Sequence, residues 1–188
     1  YQLIKKISKE DPRIDGSDLP PAIIHLKDTC GSFAFDYQSI YSPAGLNPDN
    51  TGVIGLDDFD SSWGIWGHNL RKVLGANTEK VYATINGKAN DSQLCFSSGE
   101  MFRLIESYIT DNFGEKGKFR FVIAPDDTPY ACTCPSCTAI GNTEKNATPA
   151  VTELILRLSQ RFPRHFFFTT SYLTTQQVTD KQLPPNAG

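Results

Sequence analysis

"QLCFSSGEMFRLIESYITDNFGEKGKFRFVIAP", residues 93 to 125, decides the fold class. A short apolar run, "QLCF", leads into two serines. Ser97, with Glu100 three residues later, carries the capping-box signature of a helix start. Phe102, Ile105, Ile109 and Phe113 then recur at spacings of three, four and four, which puts them on one helical face. Gly114 supplies the stop, and "KFRFVIAP" follows as a strand apolar enough to be buried on both faces.

The same grammar continues downstream. Thr148 with Pro149 opens a second helix, because proline at the first helical position lacks only a donor that would be unpaired anyway. Val151, Leu154, Ile155, Leu158 and Phe162 carry its apolar stripe to Pro163, and "HFFFTTSY" (165–172) is the next buried strand. Strand, helix, strand, helix, strand over residues 93 to 172 reads as βαβ units on a mainly parallel sheet, an α/β fold. The closing "LPPNAG" (183–188) reads as extended and loop-like.

Upstream, "KVYATI" (80–85) reads as a strand and "NGKANDS" (86–92) as the turn after it. The earlier stretches "DPRIDGSDLPPA" (11–22) and "YSPAGLNPDNTG" (41–52) are dense in turn residues and flank one aromatic strand candidate, "SFAFDYQSIY" (32–41). The expectation is one domain over residues 1–188, irregular over 1–78 and built of regular βα units over 79–188.

Composition narrows the function. The net charge is −3, and basic residues such as Lys5, Arg71 and Arg164 are scattered, so no cationic stripe is available for nucleic acid. No run reaches the roughly 18 apolar residues of a membrane span. Cys30, Cys95, Cys132, Cys134 and Cys137 make an odd count, so at least one thiol is free or bound to a metal.

In parallel α/β architectures, binding groups gather where strands end and the chain turns toward the next helix. Asp126 and Asp127 stand there after the strand ending at Ala124, with Ser97–Glu100 and Ser171–Tyr172 at corresponding places. A carboxylate there can act as general acid or base or clamp sugar hydroxyls, or it can simply cap its own loop. Adjacent side chains point apart, so at most one of the two is catalytic.

Cys132, Cys134 and Cys137 have a C-x-C-x-x-C spacing that can converge on a tetrahedral zinc ion, with Cys95, His68 and His165 as candidate fourth ligands. A disulfide stapling the loop is the other reading. In "WGIWGHNL" (63–70), Trp63 and Trp66 offer indole faces and His68 and Asn69 offer polar groups, as in carbohydrate sites. They serve equally well as core anchors and a satisfied imidazole. The acidic "DDFDSS" (57–62) lacks calcium-loop spacing and reads as a solvated turn.

Four segments together, "WGIWGHNL", "LCFSSGEMFRLIESYI", "FVIAPDDTPYACTCPSC" and "FFFTTSYLTTQQVTDKQLPPN", carry a resemblance. They resemble a domain-of-unknown-function family of large secreted proteins from glycan-degrading, Bacteroides-type bacteria, with a barrel similar to those of alpha-glucuronidases and beta-hexosaminidases. The resemblance spans roughly residues 60 to 188, and P-D-D with C-x-C-x-x-C is its most specific part. It implies a TIM-barrel-like (β/α) fold, a glycan substrate and a secreted, periplasmic or cell-surface location. His68, Asp126, Asp127 and Tyr172 would face the sugar cleft, with Asp126 or Asp127 as the acid–base candidate; the reading of "WGIWGHNL" adds Trp63, Trp66 and Asn69 as substrate-binding candidates. No cofactor is needed for such chemistry; at Cys132, Cys134 and Cys137 the residues' own spacing leaves a structural zinc ion and a disulfide as the two readings. A full barrel takes about 250 residues, so the expectation is a partial barrel or fragment whose partners include other domains of a longer parent chain.

Overall fold

A computed structural model describes residues 63–188 throughout and, before them, residues 37–40, 42, 43, 45–47, 49–51, 56 and 57. The chain divides into two compact units, Tyr1–Ser62 and Trp63–Gly188. In the first, Asp57 N donates to Gln38 O and Gln38 N to Asp57 Oδ2, both at 2.7 Å. That carboxylate is engaged by backbone. The expected strand over 32–41 lies outside the described residues except for 37–40, which carry no strand. Cys30 and the rest of the acidic stretch 57–62 also lie outside them.

Regular structure in the second unit begins at Trp63. Its elements are β1 (Trp63–Ile65), α1 (Leu70–Leu74), a 3-10 turn (Gly75–Val81), β2 (Tyr82–Ile85) and β3 (Lys88–Leu94). They continue with α2 (Gly99–Phe113), β4 (Arg120–Val122), α3 (Pro135–Ile140), α4 (Thr148–Arg161), β5 (Phe166–Phe168) and a 3-10 turn (Leu173–Thr175). Among the described residues, β1, β4 and β5 form a parallel sheet in that order, and β2 and β3 form an antiparallel pair.

The two long helices follow the expected stripes. α2 buries Met101, Ile105 and Ile109, and α4 buries Val151, Leu154, Ile155 and Leu158. Between them and the sheet lies an aromatic core. Phe121 of β4 stacks on Phe167 of β5 with centroids 5.5 Å apart and takes Phe113 edge-on at 5.3 Å. β1 passes over Phe121 at Gly64, where a Cβ would collide with that ring. Arg161 ties α4 to α2 through Glu106 at 2.6 Å and to Glu115 at 2.7 Å.

Three expectations need correction. First, "NGKANDS" is not all turn. Asn86 and Gly87, both at positive φ, make a two-residue hairpin, and Lys88 onward is strand. Second, the strand carrying "QLCF" pairs antiparallel with β2 and is not part of the parallel sheet. Third, α2 is capped by Ser98 rather than Ser97: its Oγ accepts from Glu100 N and Met101 N at 3.2 and 3.4 Å. The Glu100 carboxylate pairs with Arg103 instead of reaching back to close a capping box. The closing residues are loop-like, as read, but are also bonded to the sheet. Phe167 N donates to Asn186 O at 2.9 Å and Gly188 N to Phe167 O at 3.0 Å, so the segment runs parallel beside β5.

Candidate functional site

The carboxyl ends of β1, β4 and β5 form one rim. Beyond β1, Gly67 adopts φ 58° and turns the chain so that His68 faces the β4 loop. His68 Nδ1–H donates to the carbonyl of Pro125 at 2.5 Å, and Nε2 lies 3.2 Å from Asp127 Oδ1. From the end of β5, the Tyr172 ring meets the imidazole edge-on with centroids 6.0 Å apart. Trp66 is 38% exposed and Tyr172 48%, so aromatic surface is available at this rim. Asn69 Nδ2 donates to Trp66 O at 2.7 Å and holds the turn rather than reaching outward. Trp63 packs against Phe168 at 5.9 Å between centroids, in the sheet rather than on the rim.

The two aspartates have different surroundings. The guanidinium of Arg71 holds Asp126 Oδ2 through Nε at 2.8 Å and Nη2 at 2.7 Å, and Nη2 also donates to Asp91 O at 2.5 Å. The Asp127 side chain is 62% exposed and pairs with the His68 ring. Beneath them Gln93 is 1% exposed and organises the loop. Its Nε2 donates to Asp126 O, Thr128 Oγ1 and Tyr130 O at 3.2, 3.1 and 3.3 Å, while Oε1 accepts from Asp126 N at 3.1 Å and Leu94 N at 3.0 Å. Arg71 and Gln93 carry no motif, and only the fold brings them here.

The cysteines form a second cluster. The sulfurs of Cys95, Cys132, Cys134 and Cys137 all lie within 4.8 Å of one another, a set that could hold a metal ion. Cys95 Sγ is 3.7 Å from Cys134 Sγ and 3.8 Å from Cys137 Sγ. None of the four is in a disulfide. Cys134 caps the short α3, with Pro135 at its first position, and accepts from Cys137 N at 3.4 Å. Thr84 N donates to Cys132 Sγ at 3.2 Å, and Ser97 Oγ lies 3.0 Å from Cys137 Sγ. Ser97 therefore belongs to the thiol cluster and not to the rim.

Crowding divides the thiols electrostatically. Hydrogen bonds from Cys137 and then Cys95 hold Cys132 far below the usual thiol range, at about 2. The contact with Cys132 pushes Cys95 up to about 11 and pushes Cys137 up as well.

Of the candidate fourth partners weighed in the sequence, Cys95 joins the cluster. His68 serves the rim, and His165 is buried with Nε2 2.8 Å from Gly114 O and Nδ1 accepting from Phe119 N at 3.3 Å. No helix among the described residues is long and apolar enough to cross a membrane.

No curated protein and no solved structure matches the chain. Residues 67–186 include His68, Asp126, Asp127 and Tyr172 of the rim, the hairpin and all four clustered cysteines. They match the family described as Domain of unknown function (DUF4838), and the chain belongs to that family.

Proposed function

We propose that this domain binds a carbohydrate at the carboxyl-end rim of its parallel sheet, as a glycoside-hydrolase-like module of a secreted, glycan-degrading protein. The observation that carries the reading is the His68–Asp127 pair, 3.2 Å apart, with the exposed rings of Trp66 and Tyr172 on the same rim. Aromatic faces pack on sugar C–H groups, and carboxylate and imidazole accept and donate to hydroxyls. Asp127 is the acid–base candidate. Asp126, held by Arg71, positions the loop.

On this reading the three parallel strands are part of a larger (β/α) barrel, and a glycosidase's second carboxylate comes from another strand end of the parent chain. The cysteine cluster, with Cys132, Cys134 and Cys137 as metal ligands, is a structural staple for the loop that follows Asp127 and takes no part in the chemistry.

Calorimetry of the full chain against a panel of soluble plant and host oligosaccharides tests the proposal. Saturable binding that weakens at least about tenfold in Trp66→Ala is the expected result. An absence of binding across the panel by a folded chain overturns it.

A further inference from the structure

We infer that Cys95, Cys132, Cys134 and Cys137 bind one zinc ion as a closed tetrathiolate site, with Cys95 as the fourth ligand. The inference rests on the staple part of the proposal above and is independent of its glycan part.

Distance is the first argument. A tetrahedral ion with metal–sulfur bonds of ~2.3 Å has sulfur–sulfur edges of about 3.8 Å. The separations from Cys95 to Cys134 and Cys137, 3.7 and 3.8 Å, fall on that edge, and the whole set stays within 4.8 Å. A disulfide would instead join two sulfurs at ~2.05 Å and leave the others aside.

Burial is the second. Cys137 is fully buried, Cys132 is 2% exposed and Cys95 9%, and all three belong to the hydrophobic core of the second unit. Four polarisable sulfurs converging where three are buried in a core and the fourth, Cys134, is half-buried against it have little reason to do so unless they share a ligand.

The donors around the sulfurs are the third. One divalent cation and four thiolates leave net negative charge, which needs hydrogen-bond donors. The amides of Thr84 and Cys137 and the hydroxyl of Ser97 stand at 3.2, 3.4 and 3.0 Å from Cys132, Cys134 and Cys137 sulfurs respectively. On loading, the thiol protons pass to solvent as the metal–sulfur bonds form.

Four sulfur ligands leave no open coordination position, so the ion is structural rather than catalytic. A tetrahedral all-sulfur set suits zinc or iron. Zinc is redox-inert, which suits a cross-link. The link joins the end of β3 (Cys95), the β4–α3 loop (Cys132, Cys134) and α3 (Cys137), so it clamps the far end of the loop that begins with Asp126 and Asp127.

The test is anaerobic titration of the reduced, metal-free full chain with Co²⁺ and then Zn²⁺, combined with alkylation and mass spectrometry of the zinc-loaded chain. One Co²⁺ per chain with the absorption of a tetrahedral all-thiolate site, displaced by Zn²⁺, is expected. Zinc should protect Cys95, Cys132, Cys134 and Cys137 together, and Cys95→Ser should weaken binding at least about tenfold. Protection of three cysteines without Cys95, or unchanged affinity in Cys95→Ser, overturns the fourth-ligand assignment. A reduced chain that takes up no zinc, or purified protein carrying thiolate-bound iron, overturns the site itself. Protection is read on the unmutated chain, so a variant that fails to fold does not decide the outcome.

Discussion

His68 bridges two strand ends: Nδ1–H donates to the Pro125 carbonyl at 2.5 Å while Nε2 lies 3.2 Å from Asp127 Oδ1. The imidazole is thereby oriented by backbone, and the carboxylate is set beside it at the solvent edge. An ion pair this exposed contributes at most about 1 kcal/mol to stability. Asp127→Asn should therefore leave the melting temperature nearly unchanged while weakening ligand binding at least about tenfold. Calorimetry with the best-bound oligosaccharide, alongside a thermal melt, checks both halves. Equal binding by wild type and variant would remove Asp127 from the site.

Gln93 gives the converse case, a buried polar residue whose value lies in support. Its amide satisfies five partners in the loop and on β3. Gln93→Leu keeps much of the volume but takes the acceptor from the Asp126 amide and a donor from the Asp126 and Tyr130 carbonyls, at a cost of about 2–4 kcal/mol. Chemical denaturation should show the midpoint falling by that equivalent, with ligand affinity falling too because the Asp126–Asp127 segment loses its seat.

Ser97 and Ser98 separate two roles that neighbouring serines share. Ser98→Ala removes the cap of α2 and should cost about 1 kcal/mol without touching metal affinity. Ser97→Ala should leave helix stability in place and weaken zinc binding about tenfold, since its hydroxyl faces Cys137 Sγ at 3.0 Å. Denaturant midpoints and competition with a zinc chelator measure the two effects on the same pair of variants.

Gly64 makes a fourth, purely steric prediction. A methyl group there runs into the Phe121 ring, which is locked between Phe113 and Phe167. Gly64→Ala should destabilise by about 1–3 kcal/mol, as overpacked cores do. A denaturant midpoint equal to that of the wild type would show that β1 does not press on β4 in this way.

Side-chain periodicity made α2, α4 and the two buried strands β4 and β5 readable in the sequence, because each buries a continuous apolar face. The rim followed from them, since parallel strands end on one side: His68, Asp127 and Tyr172 do meet there. β3 was obscure for a physical reason. Most of Lys88–Ser92 is exposed, so it is held by backbone pairing to β2 and shows no alternation. α3 is six residues with no apolar stripe, so periodicity gave no sign of it. Cys95 was one candidate among three because the cluster is assembled by tertiary structure from segments far apart in sequence. Nothing local marked Arg71 or Gln93, whose bonds to Asp126 span 55 and 33 residues.

The central claim is that a four-sulfur metal centre fixes the far end of the loop that bears Asp126 and Asp127. X-ray absorption at the zinc edge of the metal-loaded chain tests it most directly. The account predicts four sulfur neighbours at ~2.3 Å and no nitrogen or oxygen in the first coordination sphere. A shell of three sulfurs with one nitrogen or oxygen would contradict it.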